Sequence, residues 1–120
     1  MEDLIINRIV KDVSELEGVR GVLISTPDGV PIVKKVEKEN AEEIGTICVT
    51  LKVTGEELLK SMKLGEFNEA VLECEKYKLL VLPYKDFVIG IIVDKKASLY
   101  LIKKGLFPIL EESELIEEAE

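Results

Sequence analysis

Thr46-Ile47-Cys48-Val49-Thr50-Leu51-Lys52-Val53-Thr54 is the stretch on which the fold turns. Its β-branched composition is that of a strand. The wider segment from Asn40 to Met62 reads differently. Ala41, Ile44, Ile47, Cys48, Leu51, Gly55, Leu58, Leu59 and Met62 recur at the three-and-four spacing that stacks side chains on one helical face. Asn40 is placed to cap the first turn, and Glu42 and Glu43 set negative charge against the positive end of the peptide dipoles. A periodic run of this length exceeds the usual strand. The segment is therefore read as a helix, with Ile44, Ile47, Leu51 and Leu58 turned toward a sheet.

Upstream, Leu4, Ile5, Ile9, Val13 and Leu16 keep helical spacing between Glu2 and Leu16, with polar residues filling much of the other side. Gly18 is placed just past the end of that helix, as a C′ residue. Gly21-Val22-Leu23-Ile24-Ser25 then reads as a strand with two apolar faces, so both faces need cover. Pro27, Asp28 and Gly29 predict a tight turn into a second strand, Val30-Pro31-Ile32-Val33. Pro31 lacks an N–H for a ladder and Lys34 and Lys35 follow, which marks an edge strand.

Downstream, Glu69 to Glu75 alternates, with Ala70, Leu72 and Cys74 inward and Glu69, Val71, Glu73 and Glu75 outward. Leu79-Leu80-Val81-Leu82 and Phe87 to Val93 are apolar on both faces, and the connections between these strands suit hairpins. Ala97 to about Ile116 reads as a helix broken or kinked near Gly105 and Pro108. The order is helix-strand-strand-helix-strand-strand-strand-helix. Doubly apolar strands call for helices on both sides, so the expected fold is a three-layer α/β/α sandwich with a mostly antiparallel five-stranded sheet. The expected organisation is a single domain over residues 1–120, with an acidic, solvated tail from about residue 111.

Composition narrows the function. The 120 residues carry 16 Lys and Arg against 24 Asp and Glu, a net charge of −8, which disfavours nucleic acid and anionic membrane surfaces as partners. No apolar run approaches a membrane span, and Met1-Glu2-Asp3-Leu4 lacks the basic start of a signal peptide. A cytoplasmic location is expected. Cys48 and Cys74 are read as reduced, buried, small hydrophobes. His, Trp and Gln are absent while Glu and Lys abound, a bias that fits a heat-adapted source.

Without histidine, the Ser-His-Asp, Cys-His and imidazole-zinc constellations cannot form, and two isolated cysteines cannot complete an all-cysteine zinc site within one chain. Gly18-Val19-Arg20-Gly21 is too short for a dinucleotide fingerprint and has no phosphate-loop lysine. Glu42-Glu43 and Glu56-Glu57 are adjacent rather than stacked on one helix face, and Asp28 is explained by its turn. The expectation is no catalytic residue, no metal site and no cofactor. Arg8, on the polar side of the first helix, and Arg20, before the first strand, are the only candidates for an arginine finger and read as surface charges.

The element order, together with Gly18 to Ile32 and Phe87 to Val93, resembles the roadblock / dynein-light-chain family, which includes prokaryotic regulators of gliding-motility-type small GTPases. The resemblance covers nearly the whole chain. It departs at Lys96-Ala97-Ser98-Leu99, where the family often has an Asn-Leu-Gly-like helix start. It implies a dimer made by pairing middle helices and joining sheets at the third strand, serving as a scaffold or GTPase-activating partner. On the middle helix, Gly45, Val49, Lys52, Val53 and Glu56 form a second row that needs cover, with Gly45 allowing a second backbone to approach. Val71 and Glu73 complete the expected dimer interface. Paired third strands bring Glu69, Glu73 and Glu75 toward like charges unless a shifted register offers Lys76 or Lys78; without it, repulsion favours dimerising through the helix alone or with a more basic paralogue. The alternatives are a nucleotide-independent structural adaptor and, requiring an open apolar pocket, a small-ligand sensor.

Overall fold

The computed structural model describes residues 2–36 and 40–119, and side chains over 4–36 and 40–116. The elements are α1 (Glu2–Ser14), β1 (Val19–Ser25), β2 (Pro31–Lys35), α2 (Ala41–Met62), β3 (Ala70–Glu73), β4 (Tyr77–Tyr84), β5 (Phe87–Asp94) and α3 (Leu99–Ala119). The five strands lie in the order β2-β1-β5-β4-β3, and every neighbouring pair is antiparallel. Proline-bearing β2 is one edge and four-residue β3 the other.

Strand alternation divides the core between the two faces of the sheet. On one face Val22, Ile24, Leu80, Leu82, Ile89, Ile91 and Val93 pack against α1 and α3 through Ile6, Ile9, Val13, Ile102 and Leu106. On the other, Leu79, Val81 and Val88 meet Cys48 of α2, with Ile44, Val49 and Leu51 around it. The first cluster is much the larger because two helices cover that face and one covers the other. Each fully buried aliphatic side chain contributes about 1.5–3 kcal/mol.

Several local expectations shift. Leu4 is exposed, whereas Ile6 and Val10 are buried beside Ile5, Ile9 and Val13. The apolar stripe of α1 is this wide because it touches both the sheet and α3. The helix stops at Ser14, so Gly18 is not its C′ residue; its φ of +91° starts β1, and its carbonyl accepts a hydrogen bond from Asp94 N at 2.9 Å. β1 begins at Val19, which places Arg20 inside the strand.

Between β1 and β2, Gly29 N donates to Thr26 O at 3.0 Å and Val30 N to the Thr26 hydroxyl at 3.1 Å, with Gly29 at φ +90°. The segment from Asn40 to Met62 is a helix despite its β-branched run, although the Asn40 side chain makes no capping hydrogen bond. α3 runs as one helix through Gly105 and Pro108. Proline forfeits one backbone hydrogen bond there, while Ile102 and Leu106 are buried and Ile109, Leu110 and Ile116 pack on the same core. The acidic run therefore begins inside a packed helix rather than in a solvated tail. Ser113 is buried and its hydroxyl donates to Ile109 O at 2.9 Å. The side chains of 117–120 lie outside those described.

Candidate interaction surface

α2 is held to the sheet by its smallest residues. Ala41, Gly45 and Cys48 are its buried positions. A Cβ on Gly45 would lie 2.5 Å from Gly29 O, so this glycine lets the helix backbone rest on the β1–β2 turn. A Cβ on Gly90, in the middle of β5, would lie 2.5 Å from Cys48 Sγ. Further along, a Cβ on Gly55 would lie 2.7 Å from the ring of Phe67, which folds back under the helix from the following loop. Burial pushes the Cys48 thiol up to about 12, since a thiolate would lose its hydration there.

This seating rotates α2 relative to the sequence reading. Gly45 is spent on an internal contact and is not free to admit a second backbone. Val49 packs toward the Cys48 cluster, and Lys52 is half-buried with its ammonium 3.1 Å from Glu56 Oε1. Val53 is 43% exposed. Of the proposed row, Val53 and Glu56 face outward while Gly45, Val49 and Lys52 are turned partly or wholly inward. Conversely, Ile47 and Leu58, expected against the sheet, are 41% and 55% exposed, and Met62 is 61% exposed. The omitted signal was size: alanine, glycine and cysteine at positions 41, 45, 48 and 55 mark the close-packed face better than the bulky residues do.

The β3 edge lies at the rim of the same sheet. Val71 and Leu72 are 43% and 41% exposed. Leu72 pairs with Leu79, which belongs to the Cys48 cluster, so Leu72 shares the α2 side. Val71 and Glu73 pair with Leu80 and Lys78 and lie on the α1–α3 side. Leu72 was expected inward, but an edge strand of four residues has no second neighbour to cover it. Lys78 sits opposite Glu73 within the chain, and its ammonium donates to Ala97 O at 3.1 Å. The surface on the α2 side is thus built from Leu58 and Met62 on α2 together with Leu72 on β3, with Val71 exposed on the opposite face of the same edge strand. α2 packs against β3, whose outer edge pairs with nothing among the described residues.

Both arginines are occupied. Arg8 donates to Glu112 at 3.1 Å, and Arg20 donates through Nε to Asp94 at 2.8 Å. The Asp94 hydrogen bond and charge raise the Arg20 pKa further. Cys74, expected to be buried, is exposed at the β3–β4 hairpin. A groove of about 420 Å³ runs between α3 and the β3–β4 edge, lined by Phe67, Leu82, Phe107 and Leu110, with the Lys103–Glu69 ion pair at its wall.

The sequence model of the Roadblock/LC7 domain matches residues 5–93. No curated protein sequence matches the chain. Among solved structures, a Roadblock/LC7 domain from Streptomyces avermitilis superposes with a TM-score of 0.82 at 9% identity, over 93% of this chain and 97% of that one. Myxococcus xanthus MglB gives 0.75 at 19% identity, over 98% and 94%. The gliding protein MglB of Thermus thermophilus gives 0.68 at 19% identity, over 87% of each. At these identities the likenesses establish the fold.

Proposed function

Because the chain belongs to the Roadblock/LC7 domain family, we propose that it is a non-catalytic, dimeric partner that binds and regulates a small Ras-like GTPase of the gliding-motility type, in the cytoplasm. One observation carries the dimer: α2, with Leu58 at 55% and Met62 at 61% exposed, packs against β3, whose outer edge is open, with Leu72 at 41% exposed on the α2 side and Val71 at 43% exposed on the other. Two-fold pairing of β3 continues the sheet across both copies and brings the two α2 flanks together, covering backbone and side chains in one step. Gly45 takes no part in this interface. Lys78 stands opposite Glu73 on the neighbouring strand of the same chain, with its ammonium donating to Ala97 O.

The likeness to MglB from two organisms supports the choice of partner. The ion pairs of Arg8 and Arg20 bear on mechanism. A guanidinium already donating to a carboxylate is not poised for a transferring phosphoryl group. Regulation in this reading works by holding the GTPase's switch segments in one arrangement. No described helix is long and apolar enough to cross a membrane.

The test is capture of cytoplasmic partners on the immobilised protein, in parallel with a magnesium-bound GTP analogue and with GDP. A small GTPase retained mainly in the GTP state supports regulation. Retention of the same larger proteins in both nucleotides, without a GTPase, makes the chain a structural adaptor and removes the regulatory role.

A further inference from the structure

The molecule has two poles of opposite charge, and α3 connects them. At one end of the sheet, Arg20, Lys76, Lys95 and Lys96 line an open cleft of about 450 Å³ together with only Glu75 and Asp94. Asp94 is already bound to Arg20. Lys76, Lys95 and Lys96 are exposed and form no ion pair with a described residue. In a chain of net charge −8, this is a local excess of positive charge. A second cleft beside it, which Lys96 also lines, has Leu101 in its wall. Leu101 and its neighbour Tyr100 are 63% and 71% exposed, so apolar surface stands beside Lys96, with Glu17 and Asp94 in the same wall.

The other pole has the complementary pattern. Glu111, Glu112 and Glu114 are exposed on α3 around Leu115, and Glu117, Glu118 and Glu120 follow in the sequence. Leu115 is 65% exposed. An apolar side chain flanked in sequence by carboxylates thus has a matching apolar surface at the margin of the basic cleft. The two cannot meet within one copy. α3 starts at Leu99, beside the basic cleft, and its rise of ~1.5 Å per residue carries Glu112 roughly 20 Å away along the axis. The Arg8–Glu112 ion pair and the packing of Leu16 against Gly105 hold α3 antiparallel along α1.

We propose that the acidic end of α3 docks in the basic cleft of a second copy, giving a head-to-tail association distinct from the two-fold β3 contact. The contact is heterologous: one copy offers its tail, the next its cleft. Repetition builds an open chain of copies or a ring, according to whether the rotation closes. Its strength is electrostatic and modest, because each exposed pair contributes little and the net negative charge of both copies opposes approach.

Sedimentation velocity over a protein dilution series tests this with two variants of the full chain. One reverses the cleft (Lys76→Glu, Lys95→Glu, Lys96→Glu). The other reverses the acidic end (Glu111→Lys, Glu114→Lys, Glu118→Lys). The substituted side chains whose surroundings are described make no intramolecular ion pair, and circular dichroism verifies that each variant folds. The wild type is expected to show species larger than its smallest stable form at about 0.05 M salt and to lose them at about 0.5 M, where screening lengths fall to a few ångströms. Each variant alone is expected to associate about tenfold more weakly, and an equimolar mixture of the two to recover association, because reversed cleft and reversed tail again complement each other.

Absence of salt-sensitive species in the wild type, unchanged association in either variant, or failure of mixing to restore it overturns the proposal. Salt-sensitive sedimentation with phosphatidylserine vesicles in place of self-association assigns the cleft to lipid and overturns it too. The two-fold dimer is judged separately, since changes at Leu58 and Met62 would abolish that contact and leave the salt-sensitive step intact.

Discussion

Placing a methyl group on Gly90 tests whether α2 is seated as described. The new Cβ would stand 2.5 Å from Cys48 Sγ, well inside van der Waals contact, but 3.8 Å from Leu79 Cδ1 and 3.9 Å from Cys48 Cβ. Sulfur is the only obstacle. Cys48 is fully buried, so Sγ has no open space to rotate into. Overpacking of this kind costs about 1–3 kcal/mol, and the smaller backbone entropy of alanine returns about 0.5–1 kcal/mol. Gly90→Ala should therefore lose about 1–2 kcal/mol. Cys48→Ala should lose about 1 kcal/mol through the small void it leaves. In the double variant the added methyl occupies the space vacated by sulfur, in ordinary contact with its neighbours. The double variant should stay within about 1 kcal/mol of wild type, giving a coupling of roughly 1–2 kcal/mol. Urea unfolding of the four proteins at one fixed concentration measures it, which holds constant the contribution of the proposed self-association. A neutral Gly90→Ala, or losses that simply add, would show that Cys48 does not sit over Gly90 and that the helix is seated elsewhere.

Other expectations follow from the same geometry. Gly45→Ala drives a methyl into Gly29 O and should lower stability by about 1–3 kcal/mol; analytical ultracentrifugation should find its dimerisation constant unchanged, and a selective loss of dimer would return Gly45 to the interface. Leu58→Lys with Met62→Lys replaces two exposed residues, so light scattering should report a monomer with native circular dichroism, whereas a persistent dimer would exclude this flank of α2. The buried Cys48 thiol has its pKa raised from 9.0 to about 12. Native stability should therefore be intact below pH 9 and decline between pH 9 and 12, as the unfolded thiol ionises and the folded one does not. Wild type should lose more stability than Cys48→Ala over that interval, and equal losses would contradict the burial. Arg8→Ala with Arg20→Ala should leave any stimulation of the partner's GTP hydrolysis within about tenfold; a loss on the order of 10³ would identify an arginine finger.

The sequence by itself determined the element order, the antiparallel hairpins, the edge position of β2 and the need for helices on both sides of the sheet. These follow from local rules. Pro31 cannot donate to a ladder, a turn joins β1 to β2, doubly apolar strands demand two layers of cover, and the helical spacing from Asn40 to Met62 outlasts its β-branched composition. The family resemblance was legible for the same reason, since it rests on glycines, turns and strand pattern.

What the sequence left open was rotation and reach. Periodicity states that a helix has an apolar face but not which of two adjacent apolar rows meets the sheet. That was decided by how closely backbones approach, at Gly45 on Gly29 and at Cys48 on Gly90, and it moved Ile47, Leu58 and Met62 outward. Pro108 suggested a break, but burial of the side chains on either side carries the helix past one missing hydrogen bond. The exposure of Leu72 depended on the length of β3 and its place at the sheet edge. The basic cleft depended on hairpin and strand ends, distant in sequence, converging at one end of the sheet. Such features are properties of distances between segments, and tertiary packing alone sets those distances.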